Sequence, residues 1–199
     1  MITPTRPTCG IGCRWEALVL PWGPNRNGDR FSPFLGPQIA ELMTGVPVGF
    51  IPGEGGELVH RAGGDSLIRR RADGSIDIDD VVGLIDAAWT TALGVHIAFH
   101  LLDERPDLRA LLLSLERSGR LPHAGVSPVL RFEPGPPRET CANVGPKTGG
   151  RTFERIVQRV HEICSVDLVS RPGGIGARVR RSLPLDFVPK GDHVCMLKR

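Results

Sequence analysis

Glycine and proline occur so densely along this chain that they restrict the folds open to it. The 199 residues include 25 Gly and 18 Pro, about a fifth of the sequence. In a helix interior, Gly costs about 1 kcal/mol and Pro about 3 kcal/mol relative to Ala. The composition therefore excludes a helical bundle and a long coiled coil. It favours a β or α+β domain, in which turns join short elements.

The pattern of apolar residues between the turns predicts six or seven strands and two or three helices. The clearest helix begins at Pro106, because Pro suits a first turn, leucines recur at helical spacing, and Gly119 suits the C-cap. Helices are expected at 38–44, 80–91 and 106–119. Strands are expected at 15–20, 46–51, 57–60, 94–102 and 123–133, with one or two more in 151–170. This count favours a mixed barrel or sandwich.

Charge and turn content divide the chain into a domain and a tail. Residues 1–180 are expected to form one domain, with an exposed Pro/Gly-rich loop at 134–150, and residues 181–199 a basic C-terminal tail. The net charge of +3 is too balanced to indicate nucleic-acid binding. The basic excess gathers near the end, where a solvated tail and a contact with a partner both remain open. It comprises Arg178, Arg180, Arg181, Lys190, Lys198 and Arg199.

Two features bear on the compartment of the protein. The longest uncharged apolar run, residues 87–102, is shorter than the roughly 20 residues that span a bilayer. We therefore expect a soluble protein. The 5 cysteines are scattered and odd in number, which favours reduced thiols in a cytosolic protein.

Three residues have the chemistry that a hydrolase site needs, namely a nucleophile, a base and a group that orients the base. Ser127 lies in GVSPV, on a strand that follows a helix and a turn. His60 ends the strand-like segment GELVH, and Asp167 lies in SVDLVSRPGG, on a strand that leads into a turn. Each residue taken alone also has a structural explanation, because Ser and Asp often hydrogen-bond the backbone near turns.

Together, four segments in this order resemble the prohead (capsid maturation) serine proteases of tailed bacteriophages, which are distantly related to the herpesvirus assemblin proteases. The resemblance spans about Trp15 to Ala177. The segments are Asn25–Phe31 (NRNGDRF), Gly56–His60 (GELVH), Gly125–Ser127 (GVS) and Asp167–Pro172 (DLVSRP). The chain departs from the family pattern at Asp29, Phe31, Val59, Arg61, Pro128 and Val129.

The resemblance implies an α+β fold, built on a small, mostly antiparallel β-barrel like that of the herpesvirus proteases, with flanking helices. It implies a serine endopeptidase in which Ser127 is the nucleophile, His60 the general base and Asp167 the group that holds the imidazole. Since the herpesvirus enzymes use a second His as third member, Ser165 and His161 stay open as neighbours of the site. Arg131 and backbone N–H groups are candidates for the oxyanion hole.

The resemblance also implies the setting of the reaction. The substrates are the phage scaffold protein and the major capsid protein, and the enzyme acts in the host cytoplasm within the assembling prohead. No cofactor, metal, membrane or specific nucleic acid is implied, and self-association is left open. The loop at 134–150 and the basic tail are candidate segments for self-cleavage or docking.

Two other functions compete with this hypothesis. His96, His100 and Glu104 recur at a spacing of four, so on a helix they would share one face, as zinc ligands can. A strand would also place both histidines on one face. The Glu that would follow the first His in a zinc-protease motif is absent, and Ile97 stands there. The second alternative is a catalytically silent capsid- or scaffold-binding module of the same fold.

Overall fold

The computed structural model describes residues 14–50, 78–140, 152–169, 175–184 and 186–197. Over these residues the protein is an α+β structure made mostly of strands, with two α-helices. The expected strand at 57–60, which carries His60, lies outside the described residues. None of the helices in the described ranges is long and apolar enough to cross a bilayer.

Ten strands and two helices follow one another along the described chain. The strands are β1 (Arg14–Pro21), β2 (Gly23–Pro24), β3 (Asp29–Phe31), β4 (Pro47–Gly49), β5 (Val81–Thr91), β6 (Gly94–Leu101), β7 (Gly125–Thr140), β8 (Thr152–Val169), β9 (Arg178–Leu183) and β10 (Asp192–Met196). The helices are α1 (Gly36–Met43) and α2 (Pro106–Arg117). The predicted strands at 15–20 and 94–102 and the predicted helices at 38–44 and 106–119 are thereby confirmed, and 151–170 contains one long strand.

Seven of the strands pair into a closed ring, in the order β5, β6, β1, β9, β7, β8 and β4. The short strand β4 closes the ring, because it pairs antiparallel with β5 on one side and parallel with β8 on the other. The remaining strands extend it, with β10 beside β5, and β3 and β2 beyond β8. Closing a sheet on itself leaves fewer unpaired strand edges.

The core lies inside this ring and follows the two-residue period of the strands. In β1, Trp15, Ala17 and Val19 are fully buried in the main cluster, whereas Glu16 between them belongs to the other face. The helices close the core with one apolar face each. Their buried residues include Ile39 and Met43 in α1 and Leu108 and Leu112 in α2.

The helix predicted at 80–91 is wrong, because this segment is β5. Both faces of the strand are largely buried, and its edges pair with β6 on one side and with β4 and β10 on the other. Such surroundings favour β-branched and aromatic residues, and Val81, Val82, Ile85 and Trp89 supply them. The acidic residues that suggested a helix cap belong to a short 3-10 turn, Ile78–Asp80.

Residues expected in a loop and a tail are partly strand. The first part of the expected loop, 134–140, belongs to β7 and pairs with β8. Register shifts around Pro134 and Pro137 absorb the prolines, which cannot donate to a regular ladder. Past residue 180, β9 lies between β1 and β7, and β10 pairs with β5. Beyond residue 181, residues 182–183 and 192–196 therefore belong to the sheet.

Candidate active site

Strands β7 and β8 place Ser127 directly opposite Asp167. The antiparallel register pairs Gly125 with Val169, Ser127 with Asp167 and Val129 with Ser165. Residues opposite each other in such a pair share a face, and their Cβ atoms lie about 4.5–5.5 Å apart. Two of the three predicted catalytic residues, distant in the sequence, are thus neighbours in the structure.

This polar pair lies on the face of the sheet that is turned away from the core. The alternate residues Val126, Val166 and Leu168 belong to the main core cluster. Asp167 is nevertheless 0% exposed and Ser127 only 7% exposed. A hydroxyl and a carboxylate shielded from water in this way lie in a medium of low effective dielectric, where electrostatic interactions are stronger than in water.

A second serine, Ser165, lies on the same strand as Asp167 and contacts its carboxylate. The Ser165 hydroxyl donates a hydrogen bond of 3.0 Å to Oδ1 of Asp167, and Ser165 is itself 0% exposed. A buried carboxylate is costly unless it is hydrogen-bonded, so this contact stabilises and orients it. Of the two neighbours that the sequence left open, Ser165 contacts Asp167. His161 lies earlier in β8 than Asp167, and its side chain is exposed.

The third strand at this place is β4, whose last residue, Gly49, pairs in parallel with Asp167. Paired residues of neighbouring strands share a face, and Gly49 has no side chain to occupy it. Beyond β4, Phe50 precedes His60 by about ten residues. His60 lies outside the described residues.

The structure does not bring Arg131 to the Ser127–Asp167 pair. Its guanidinium Nη1 lies 3.3 Å from Oε2 of Glu162, the residue opposite it on β8, and the side chain is 69% exposed. Four residues of strand also separate it from Ser127 by about 13 Å. Backbone N–H groups stay as the other candidates for an oxyanion hole.

The NRNGDRF segment has a structural role at the other end of β8. The side-chain Oδ1 of Asn25 accepts hydrogen bonds from the backbone N–H groups of Asn27, at 2.8 Å, and Asp29, at 2.9 Å. The buried Asp29 carboxylate forms an ion pair of 2.6 Å with Arg155, and β3 pairs with β8 at these two residues. The turn thus fixes β3 against the strand that carries Asp167, about twelve residues before it.

A second polar cluster lies on the outer face of β1, β6 and β9, where the exposed Arg181 contacts the buried Glu16 beside the buried His96. Oε1 of Glu16 lies 3.1 Å from Nδ1 of His96, and Oε2 accepts a hydrogen bond of 2.7 Å from Nε of Arg181. Burial by itself would raise the pKa of Glu16. The hydrogen bonds from His96 and Arg181 outweigh burial, so the pKa lies below its usual value. None of the sequence motifs includes this cluster, although the lone charge of Glu16 in the apolar segment WEALVL is a signal for it.

The zinc hypothesis for His96 and His100 finds no support in this geometry. Both histidines lie in strand β6, but each contacts a different carboxylate. Nδ1 of His96 is 3.1 Å from Glu16, and Nδ1 of His100 is 2.9 Å from Asp86. Within the described ranges, which include Glu104, no three His, Cys, Asp or Glu side chains form a group that could hold a metal ion.

Among the described residues, Ser127 and Asp167 supply a candidate nucleophile and a candidate carboxylate that could orient a base. A serine hydroxyl is a weak nucleophile until a neighbouring base removes its proton, and a carboxylate can orient that base. The short cross-strand separation would let one imidazole contact both side chains. Comparison of the chain with protein-family models, with curated proteins and with solved structures found no match.

Proposed function

We propose that this protein is a serine endopeptidase that cleaves scaffold and capsid proteins during bacteriophage prohead maturation. The observation that carries the proposal is the cross-strand pairing of Ser127 with Asp167 on a shielded face. The resemblance had assigned these roles from motifs about 40 residues apart in the chain. Two residues chosen without regard to the structure would seldom lie opposite each other on neighbouring strands.

In the proposed mechanism, His60 acts as the general base. It takes the proton of the Ser127 hydroxyl as the oxygen attacks the peptide carbonyl, and it then gives that proton to the leaving amine. A water molecule, activated by His60 in the same way, then attacks the acyl-enzyme and releases the acyl group from Ser127. Asp167 keeps the imidazole in one tautomer and stabilises the imidazolium. Ser165 would act one step behind it, since its hydroxyl holds the Asp167 carboxylate.

The finer fold assignment is part of the same proposal. We infer that the seven-strand ring is the small, mostly antiparallel barrel of the herpesvirus protease type. Six of its seven pairings are antiparallel and one, between β4 and β8, is parallel. The enzyme would act in the host cytoplasm, within the assembling prohead, with the scaffold and major capsid proteins as substrates.

A fluorescent fluorophosphonate, which labels activated serines, tests the proposal. The wild-type chain is expected to be labelled, and Ser127→Ala and His60→Ala are each expected to abolish labelling. Ser114→Ala is the matched control, because Ser114 is an exposed serine of α2. It is expected to leave labelling unchanged. Peptide mapping should place the label on Ser127, and circular dichroism should show that all variants fold.

A cleavage assay separates an enzyme from a binding module. The chain is co-expressed with its scaffold protein, and the products are followed by mass spectrometry. Cleavage that Ser127→Ala removes would support the endopeptidase. A folded wild-type chain that is not labelled, and that binds scaffold without cleaving it, would instead support the catalytically silent module and overturn the proposal.

A further inference from the structure

A groove of about 430 Å³ lies between β9 and the turn that follows α2. Its residues include Arg180, Arg181 and Ser182 of β9, and Glu116 and Pro122 from the opposite wall. It includes none of the residues of the candidate active site. The groove is therefore a second place at which this protein could bind a ligand.

A β-bulge brings two consecutive arginines into this groove. On β1, Glu16 pairs with Arg181 and the next residue, Ala17, pairs with Val179, so Arg180 is an extra residue without a partner in the β1 ladder. In a regular strand, neighbouring side chains point to opposite faces. A bulge redirects a side chain, and bulges occur frequently at functional places. Here both Arg180 and Arg181 are exposed and border the groove.

The guanidinium of Arg181 is held in place before any ligand arrives. Its Nε donates to Oε2 of Glu16 at 2.7 Å, and its Cζ lies 6.0 Å from the centre of the Phe187 ring. The side chain is still 61% exposed. Because Nε makes the contact with Glu16, the outer Nη groups can bind another carboxylate. A fixed guanidinium loses little conformational entropy on binding.

The opposite wall is mixed in character. Oε1 of Glu116 accepts hydrogen bonds of 2.9 Å from both the backbone N–H and the hydroxyl of Ser182, so this carboxylate is already engaged. Leu121 is buried at the base of the groove, and Pro122 adds apolar surface.

We propose that this groove binds an acidic segment of a partner protein, with a Glu or Asp carboxylate on Arg180 and Arg181 and an apolar neighbour on Pro122. Arginine forks match carboxylates in paired hydrogen bonds. A nucleic-acid backbone fits less well, because it needs an extended basic track, whereas this groove is short, partly apolar and contains Glu116. The proposal is independent of catalysis at Ser127.

Fluorescence anisotropy with a labelled ten-residue peptide of alternating Glu and Leu tests this inference on the full chain. The wild type is expected to bind this peptide more tightly than the matching Gln–Leu peptide. Arg180→Gln is expected to weaken binding about tenfold, the effect of one lost charge-assisted contact. The control is Arg26→Gln, which changes the net charge equally at an exposed residue of the β2–β3 turn and should leave affinity unchanged.

Three results would overturn the inference. Equal weakening by Arg180→Gln and Arg26→Gln would show a general charge effect. Equal affinity for the Glu–Leu and Gln–Leu peptides would show that carboxylates are not recognised. Tighter binding of a labelled single-stranded oligothymidine, lost in Arg180→Gln, would assign the groove to nucleic acid. Because Arg180 is exposed and outside the β1 ladder, its replacement should not impair folding, which circular dichroism would check.

Discussion

Replacing Glu16 with Gln tests how far the polar cluster on β1, β6 and β9 stabilises the fold. The Glu16 carboxylate accepts a hydrogen bond of 2.7 Å from Arg181 and one of 3.1 Å from His96. Hydrogen bonds to a charged group contribute about 1.5–3 kcal/mol each. The exposed Arg181 contributes less, as surface ion pairs give about 0–1 kcal/mol. Gln keeps the shape but loses the charge, so we expect a loss of about 2–3 kcal/mol at pH 7.

The sign of the pH dependence follows from the pKa of Glu16. Hydrogen bonds from His96 and Arg181 outweigh the effect of burial and lower this pKa in the folded protein. A lowered pKa means that the carboxylate contributes its full stability above its unfolded pKa, about 4.3. That contribution disappears as the pH falls through the folded pKa. The stability difference between wild type and Glu16→Gln should therefore be largest near pH 7 and shrink below about pH 4.

Urea unfolding at pH 7 and pH 3 measures this difference, with the fluorescence of the buried Trp15 and Trp89 as the signal. Glu104→Gln is the matched control, because Glu104 is exposed, and its effect should stay within about 0.5 kcal/mol at both pH values. An equal loss for Glu16→Gln at pH 7 and pH 3 would show that packing, and not the charge, matters. No loss at pH 7 would show that desolvation cancels the gain from the two contacts.

Three further substitutions test other parts of the structure. Gly83→Ala should destabilise the protein by more than about 2 kcal/mol in thermal or urea unfolding, because a Cβ there would overlap the backbone carbonyl of His100 across the β5–β6 pair; a stable variant would contradict this close approach. Asp29→Ala should lower the free energy of unfolding by about 2–4 kcal/mol, since it removes the partner of Arg155 in a half-buried ion pair. Hydrogen exchange should rise in the β2–β3 turn, and a uniform rise over the whole chain would argue against a local role. Asp167→Asn should lower kcat for scaffold cleavage by about 10²–10⁴-fold with little change in KM, whereas unchanged kcat would remove Asp167 from the proposed mechanism.

The sequence predicted the local elements best where the signal was local. Pro106, the leucine spacing and Gly119 specify α2 by themselves, and the structure confirms that helix. The segment 80–91 shows the opposite case. Its acidic start and apolar content fit a helix, but pairing of β5 on both edges decided for a strand. Such pairing partners are far away in the sequence, so a local pattern does not contain them.

The candidate site also depends partly on local sequence signals and partly on the pairing of distant strands. The motifs named Ser127 and Asp167, but their juxtaposition depends on the register of β7 and β8. That register shifts at several bulges between Val129 and Pro137. The role of Ser165 as donor to Asp167 follows from the two-residue period once β8 is known to be a strand. The place of His60 relative to this pair stays a prediction.

By itself, the sequence excluded a helical bundle through its glycine and proline content, showed which elements have strong local signals, and named Ser127, His60 and Asp167 as candidate site residues. The tertiary structure decided which of those residues meet. It closed seven strands into a ring through β4, paired Ser127 with Asp167, and used the bulge at Arg180 to bring two arginines into one groove. The physical reason is that turn preference and helical periodicity act over a few residues. Strand register and bulges depend on the burial of both faces across segments distant in the chain.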